Sequence, residues 1–441
     1  MTDVSPKVTA RWTLLVMTIL LASCGPSREE PATAALPKVE LTLITGSQKA
    51  DLEKQLYASF EEKHPDLTIK AKSWAAWPRQ YMTNETPPDL MSISAGDWLF
   101  STIKDDLVAD ITDVWEQSNL RASYPLALQE LTTFRGKQYL LPTGYEWRAI
   151  YYNRAIFDKY GLTPPQNWDE LLQIADTLVL NGEVPFSLAG RREWDASLWF
   201  DYLNIRLNGP VFHQSLIKGE VPFTDERVRT IVLTWQFLFD QGYFIQNHRA
   251  YSLLQSVMSI SRGKGSADIA REQAVMVLVS SGAVDELPMI FQEELDFFPF
   301  PMIDETMEKG EIIGPFGYIV PANAPNRLDA LKFLTFAATP QVQDMLTVGV
   351  GPETSYVPAH LTSASDELKD EIRRGYELVE SAEVVSLPFV WASPRSMSMA
   401  LRNALTHFSL SVDRGEVNVD EILAIMEEER VKTLSEGGFG E

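Results

Sequence analysis

The sequence has very little cysteine and comparatively few basic residues. A single cysteine among 441 residues excludes an intramolecular disulfide framework and any zinc or iron–sulfur site that needs several cysteines. The 61 acidic residues outnumber the 38 basic ones, giving a net charge of −23. This balance argues against nucleic-acid binding, because phosphates are neutralised by lysine and arginine patches. Anionic small ligands stay possible, since a local cationic site can occur in an acidic protein.

Long hydrophobic runs and catalytic signatures are also missing. No segment reaches the roughly 20 apolar residues that a membrane-spanning helix needs. The histidines are scattered without metal-site spacing, at His64, His213, His248, His360 and His407. No Gly-x-Ser-x-Gly, Walker or dinucleotide-binding glycine motif occurs. We therefore expect no metal and no cofactor, although an acidic chain leaves a glycosidase-type pair of carboxylates open.

The chain begins with the pattern of an export signal. Two basic residues precede an apolar run over 12–21, which is typical of a signal peptide and too short to span a bilayer. The small residues before Cys24 resemble a lipobox, where a signal peptidase cleaves and the cysteine receives lipid. We predict a signal peptide over 1–23, lipidation of Cys24, and a flexible tether over 24–37. The alternative is an ordinary signal peptide with an incidental cysteine.

The remaining sequence alternates between strand and helix patterns. Residues 39–44 alternate apolar and polar side chains, as a half-buried strand does. Apolar residues four apart over 51–63 predict a helix, and 67–71 and 89–93 predict strands. This order predicts an α/β architecture with a largely parallel sheet. Further helices are predicted over 168–180, 224–242, 326–338, 397–410 and 419–434.

A series of short motifs occurs in one order along most of the chain. The motifs lie at 41–46, 60–66, 88–90, 134–142, 150–153, 161–171 and 317–323. Each is weak alone, but the ordered set resembles the carbohydrate-type extracellular solute-binding proteins of ABC importers, the group that contains maltodextrin-binding protein. The resemblance implies the periplasmic-binding-protein fold, in which two α/β lobes, each discontinuous in sequence, hold a ligand in a hinge cleft.

The same resemblance implies where the lobes divide. The chain is expected to cross between them near 143–150, 295–301 and 348–356. Lobe one then comprises 38–146 plus 300–350, and lobe two comprises 147–299 plus 351–441. Hinges of this type need only a few residues to absorb the change of angle.

A candidate aromatic–arginine pair lies near the C-terminus. Sugar binders combine aromatic platforms with polar and charged side chains. The family often has an aromatic residue and an arginine four residues apart at the entry to the first C-terminal helix, and Trp391 and Arg395 match that spacing. Four residues make about one helical turn, so both side chains could share a face. The alternative is a packing tryptophan beside a solvated arginine.

Four further candidates lie in the first half of the chain. Glu146 matches a polar ligand contact of the family at the first crossing, although it could instead form a hydrogen bond within the hinge. Asp97 and Trp98 follow a predicted strand, where open α/β sheets bind ligands. Asp97 could equally cap a helix over 98–104. Gln48 lies in the equivalent loop after the first strand.

The family comparison adds two aromatic candidates and one departure. Trp194 lies where lobe two often contributes aromatics, and Phe316 opens the returning strand, where it could touch ligand or pack. Trp147 and Trp199 are expected to pack in the core. The strand over 274–279 ends in Ser-Ser-Gly, where the family often has Gly-Pro-Trp. The pocket wall should therefore be smaller and more polar there, and the ligand should differ from a linear maltodextrin.

These observations predict a monomeric, lipid-anchored protein at the cell surface or in the periplasm. It would capture a sugar or polyol, deliver it to the permease of an ABC importer, and catalyse no reaction. Two alternatives stay open. One is a secreted carbohydrate-active enzyme, and the other is a sensory lipoprotein that passes its ligand signal to a receptor kinase.

Overall fold

A computed structural model describes residues 38–46, 50–190, 196–262, 272–347, 356–360 and 368–439. The predicted signal peptide, Cys24 and the tether lie outside these residues, as do Gln48, Trp194 and most of the third predicted crossing. The strands are β1 (Val39–Thr45), β2 (Leu67–Ser73), β3 (Leu90–Ser94), β4 (Thr133–Phe134), β5 (Lys137–Gln138), β6 (Leu141–Asn153), β7 (Val184–Ser187), β8 (Ala274–Ser280), β9 (Leu295–Phe298), β10 (Gly310–Ile319), β11 (Val357–Pro358) and β12 (Val384–Ser386).

The helices are numbered in chain order. The helices of the first half are α1 (Ala50–Lys63), α2 (Pro78–Met82), α3 (Asp97–Lys104), α4 (Thr112–Gln117), α5 (Leu120–Ser123), α6 (Leu126–Thr132), α7 (Arg154–Tyr160), α8 (Trp168–Leu180), α9 (Ser197–Asn208) and α10 (Pro210–Ile217). The others are α11 (Glu226–Asp240), α12 (Leu253–Met258), α13 (Ser281–Asp285), α14 (Met289–Gln292), α15 (Arg327–Ala337), α16 (Pro340–Thr347), α17 (Asp370–Glu380), α18 (Phe389–Ala392), α19 (Arg395–Arg414) and α20 (Val419–Ser435), with a 3₁₀ turn at His248–Ala250.

Local sequence signals explain several of the helix ends. The Asn167 side chain accepts the backbone N–H of Glu170 at 2.9 Å and so caps α8. Asp225 caps α11 in the same way through the N–H of Arg227. Gly242, just beyond α11, has a φ of 73°, a left-handed conformation that glycine adopts without strain. The predicted starts of these two helices are confirmed.

The main sheet is mixed, so the expectation of a largely parallel sheet is wrong. Its strand order is β2-β1-β3-β10-β6-β8-β7, with β11 and β9 also paired to β6 and β12 paired to β10. β1 runs parallel to β2 and β3, as strand–helix–strand units require. The long strands β6 and β10 run antiparallel to each other and to most of their neighbours. The α/β fold class itself is confirmed.

The long strands β6 and β10 both change pairing partners next to the paired residues Trp147 and Ile313. β6 pairs with β10 up to Trp147 and with β8 and β9 from Arg148 onward. β10 pairs with β12 up to Ile312, and with β6 and β3 from Ile313 onward. The lobe boundaries stay a prediction, and this change in β10 lies later in the chain than the crossing expected at 295–301.

Side chains of β6 alternate between two parts of the core. Tyr145, Trp147 and Tyr151 pack in one hydrophobic cluster, while Ile150 and Tyr152 pack in another on the opposite face of the sheet. This is the two-residue period of a strand buried on both faces. Trp147 and, on α9, Trp199 are fully buried, as expected.

Candidate ligand-binding site

A cavity of about 240 Å³ lies beside the point where β6 changes partners. It is lined by Glu146, Arg148, Ser197, Leu198, Leu253, Val279, Ser280, Pro388, Val390 and Trp391. The charged residues come from β6, whereas most of the remaining wall is apolar and comes from α9, α12, β8 and α18. A small polar group set in an apolar wall is the usual composition of a small-molecule site.

An ion pair forms the charged part of the cavity wall. Arg148 Nη2 donates to Glu146 Oε1 at 2.7 Å, and Arg148 Nη1 donates to the Glu146 carbonyl oxygen at 3.1 Å. The Arg148 side chain is 3% exposed and the Glu146 side chain 15%. The guanidinium also lies over the indole of Trp391, 5.0 Å from the ring centroid, in a cation–π contact. Carboxylate, guanidinium and indole are therefore held together as one group.

Two glycines make room for this pair. Gly314 of β10 pairs with Glu146 of β6. A Cβ on Gly314 would lie 2.8 Å from Glu146 Oε1 and from both terminal nitrogens of Arg148. A Cβ on Gly282 would lie 2.5 Å from Glu146 Oε2. Both distances are too short for a larger side chain without displacing the pair. The glycines thus fix where the carboxylate and guanidinium can sit.

A buried acid lies near the same arginine. Asp201, on α9, is fully buried, and its Oδ1 accepts the backbone N–H of Phe389 at 3.3 Å. Burial raises the pKa of Asp201 to about 8, although the Phe389 N–H and the charge of Arg148 oppose the shift. Among the described residues, neither Asp201 Oδ2 nor Arg148 Nε has a hydrogen-bond partner. Asp201 is therefore largely protonated at neutral pH.

The start of α3 contacts the segment that contains Trp391 and Arg395. Asp97 is the first residue of α3 and Gly96 is its N-cap, so the capping role considered for Asp97 is wrong. The Asp97 carboxylate instead faces the backbone N–H of Arg395. Burial raises the pKa of Asp97 to about 6, and this N–H together with Lys104 opposes the shift. A Cβ on Gly96 would lie 2.8 Å from the Trp391 carbonyl oxygen, so α3 and α18 are in contact.

The chain is similar to known proteins over most of its length. Residues 45–344 match the family of bacterial extracellular solute-binding proteins. The chain belongs to this family. An uncharacterised ABC transporter extracellular-binding protein of Pyrococcus horikoshii is 22% identical over 93% of this chain and 93% of its own length. The multiple sugar-binding protein of Streptococcus mutans is 22% identical over 73% of this chain and 76% of its own.

Solved structures share the fold of this solute-binding protein. A chitin oligosaccharide binding protein superposes with a TM-score of 0.75 at 19% identity, over 90% of this chain and 99% of that one. The bacterial solute receptor AcbH, described as exclusively preferring β-D-galactopyranose, superposes with a TM-score of 0.73 at 20% identity, over 90% and 98%. At such low identity these similarities show the fold, which is the two-lobed α/β fold of periplasmic binding proteins.

The predicted aromatic–arginine pair of this solute-binding protein is divided between two helices. Trp391 lies in α18, and Arg395 is the first residue of α19, with Pro394 as its N-cap. The expectation that both lie one turn apart on a single helix is therefore wrong, because the intervening Ser393 has extended backbone. Trp391 lines the cavity, whereas the exposed Arg395 places its guanidinium over Trp77, 5.3 Å from the ring centroid.

Trp98 and Phe316, which the structure also describes, lie outside the cavity wall. Trp98 is partly buried against a hydrophobic cluster that includes Ile44 and Leu99. Phe316 packs edge-on against Tyr356, with ring centroids 4.8 Å apart. Of the described candidates, Trp391 and Glu146 line the cavity and come together through Arg148. Their contact with a ligand stays a prediction.

Arg148 belongs to this site although no sequence motif points to it. The available signal was its position two residues after Glu146, since alternate residues of a strand share a face. Only the packing of α18 against β6 reveals that Arg148 also contacts Trp391. In the described part of the chain, no three His, Cys, Asp or Glu side chains gather as a metal site. Over the same residues, no helix is long and apolar enough to cross a membrane.

Proposed function

We propose that this solute-binding protein captures a sugar or polyol and delivers it to the permease of an ABC importer. The observation that carries the proposal is the cavity in which the Trp391 indole lies beside the Glu146–Arg148 pair. A sugar presents apolar C–H faces and a rim of hydroxyl groups. An indole packs against such a face, and a carboxylate and a guanidinium supply acceptors and donors for the hydroxyls.

The relatives support a carbohydrate ligand. The Streptococcus mutans relative is a multiple sugar-binding protein, and the two structural neighbours described above take chitin oligosaccharides and β-D-galactopyranose. A Thermotoga maritima protein of the same fold is maltose-bound, with a TM-score of 0.66. These ligands differ from one another, so the class of ligand is a better guide than any single sugar.

We place the hinge of lobe closure at the level where β6 and β10 exchange partners. On this proposal lobe one ends in β6 at Glu146 and lobe two begins at Trp147. The strand pairing favours moving the boundary in β10 from residue 300 to the Ile312–Ile313 step. The third crossing, near 348–356, lies mostly outside the described residues. Ligand contacts to both lobes would shift the population towards the closed state.

Calorimetry and thermal shift against a panel of sugars and polyols test the proposal. A ligand present at tenfold excess over its Kd stabilises the folded protein by about 1.4 kcal/mol. Trp391→Ala should abolish or strongly weaken this shift, whereas Trp77→Ala, at a position 63% exposed and outside the cavity wall, should preserve it. Binding of amino acids, peptides or Fe³⁺ with no response to any sugar would reject the carbohydrate ligand.

Incubation with the bound sugar separates capture from catalysis. If the protein only binds, chromatography recovers the sugar unchanged after prolonged incubation at a substoichiometric protein concentration. Release of a smaller sugar or an aglycone would instead establish the carbohydrate-active enzyme. Because the family consists of binding proteins, we expect recovery of the intact ligand.

We further propose that the protein is exported and anchored to the membrane through lipid on Cys24. The support is the lipobox-like sequence at the end of the signal-peptide pattern. Cells fed a clickable fatty acid should label the wild-type chain but not Cys24→Ser. The variant should also move from the membrane fraction to the soluble exported fraction. Equal labelling and equal fractionation of both chains would reject the anchor.

A further inference from the structure

We propose that the cavity selects a single sugar ring, a monosaccharide or a polyol of that size, over oligosaccharides. This inference rests on the proposed function and names the size class of its ligand. It depends on the cavity volume, on the residues that fix its polar end, and on the number of aromatic faces available for stacking.

The volume sets the first limit. On the scale on which an apolar cavity of about 150 Å³ accepts benzene, a cavity of about 240 Å³ accepts roughly ten non-hydrogen atoms. That is close to one pentose or hexose and about half of a disaccharide on the same scale.

The polar end of the cavity cannot recede to admit a longer ligand. Glu146 and Arg148 are held against each other, and the backbone of Gly314 and Gly282 lies directly behind them. Movement of the Arg148 guanidinium away from these glycines is limited by its contact with the Trp391 ring. The ion pair is therefore a fixed boundary of the cavity.

The described residues of the cavity wall offer one aromatic platform. One face of the Trp391 indole is covered by Arg148, which leaves one face for a sugar. No other aromatic side chain occurs among the described residues that line the cavity. At the end of β8 the wall is Ser280. Among its described residues, this wall supplies no second aromatic face on which a further ring could stack.

A size series measured on the full mature chain tests the inference. Calorimetry would compare pentoses, hexoses and their polyols with the disaccharides and trisaccharides built from the same units. We expect the best monosaccharide or polyol to bind at least about tenfold more tightly than the disaccharide that contains it. A disaccharide or trisaccharide that binds as tightly or more tightly would overturn the inference and leave the proposed function intact. No response to any sugar would reject the proposed function itself.

A cavity-enlarging variant tests whether the wall causes this selection. Leu253 lines the cavity, whereas its neighbour Leu254 is exposed, so Leu253→Ala and Leu254→Ala form a matched pair. We expect Leu253→Ala to raise the affinity for the disaccharide about tenfold or more, and Leu254→Ala to leave it unchanged. An unchanged disaccharide affinity in a folded Leu253→Ala protein would contradict the steric argument. Circular dichroism and the melting temperature show that the variants compared are folded.

Discussion

Two arginine–glutamate pairs each include a residue of a long strand, β6 or β10, and they differ in how completely their hydrogen bonds are satisfied. In the first pair, Arg206 Nη2 donates to Glu311 Oε1 at 2.5 Å, and the two side chains are 0% and 1% exposed. The remaining nitrogens of Arg206 donate to the carbonyl oxygens of Phe300, at 3.0 Å, and Gly310. Glu311 also accepts the Tyr202 hydroxyl at 3.0 Å. Each guanidinium nitrogen and each carboxylate oxygen of this pair therefore has a partner, and neither residue lines the cavity.

The second pair, Arg148 with Glu146, is incomplete. Arg148 Nε has no hydrogen-bond partner among the described residues, and Glu146 is partly exposed where it lines the cavity. Buried polar groups are nearly always paired, so an exception needs an explanation. The unpaired Nε and the cavity-facing carboxylate are the two features that distinguish this pair from the first.

The difference indicates a division of roles between the two pairs. A buried, fully paired charge group holds its neighbours in one arrangement, whereas breaking it leaves an uncompensated charge. The Arg206 pair joins α9 to β10 and to the segment after β9, and the Tyr202 hydroxyl also lies 3.1 Å from the carbonyl oxygen of Arg148. We infer that the Arg206 pair fixes the framework and that the Arg148 pair contacts ligand.

The largest effect is expected from Glu311→Gln. The substitution removes the charge that compensates the fully buried Arg206, which should lower the free energy of unfolding by about 3–5 kcal/mol. Chemical denaturation followed by circular dichroism measures the change. Glu308→Gln removes the same charge at an exposed position and should stay within about 0.5 kcal/mol of wild type. A loss below about 1 kcal/mol in Glu311→Gln would contradict the structural role of this pair.

The free energy of unfolding should depend on pH through Asp201, the buried acid near Arg148, and Asp201→Asn should remove this dependence. The pKa of Asp201 is about 8 in the folded state and 3.8 as a free group, so the folded chain keeps a proton that the unfolded chain loses. Stability from the protonated form is therefore complete below pH 3.8 and is lost as the pH rises through 8. Asn mimics the protonated acid at every pH.

Denaturation of wild type and Asp201→Asn at several pH values measures this effect. Between about pH 5 and pH 8 the variant should gain roughly 3 kcal/mol relative to wild type, since one pKa unit corresponds to about 1.4 kcal/mol. The exposed Asp240 provides the control, because Asp240→Asn should follow the wild-type profile. Parallel profiles for Asp201→Asn and wild type would show that Asp201 is ionised in the folded protein.

Glu146→Gln should mainly weaken ligand binding, whereas Glu311→Gln should mainly lower stability. A hydrogen bond to a charged group is worth about 1.5–3 kcal/mol, so the affinity for the best sugar should fall by about tenfold or more. The stability loss should be smaller than in Glu311→Gln, because Glu146 is partly exposed to the cavity. Calorimetry and denaturation on both variants decide the matter. Unchanged affinity together with a large stability loss in Glu146→Gln would make the two pairs equivalent.

The sequence predicted local features of the fold well. Asn167 and Asp225 cap helices through contacts within a few residues, so their motifs are visible along the chain. Trp391 and Glu146 match positions of the family pattern, and both line the cavity. The parts that could not be predicted depend on contacts between distant segments. Arg148 contacts Trp391 across more than two hundred residues of sequence. Asp201 is buried and accepts a hydrogen bond from Phe389, which lies almost as far away along the chain.

The smallest effect is expected from Arg395→Ala, which tests a third arginine that belongs to neither pair. If Arg395 contacts the ligand, as its spacing from Trp391 predicts, its removal should weaken binding by about tenfold or more. The geometry favours a smaller effect, because the guanidinium is exposed and lies over Trp77, and neither residue lines the cavity. The contact to Asp97 comes from the backbone N–H of Arg395, so the substitution preserves it. Calorimetry should therefore show a change in affinity below about fivefold, with Trp77→Ala as the matched control. A tenfold loss in Arg395→Ala alone would place this arginine with Arg148 as a ligand contact and extend the site towards the start of α19.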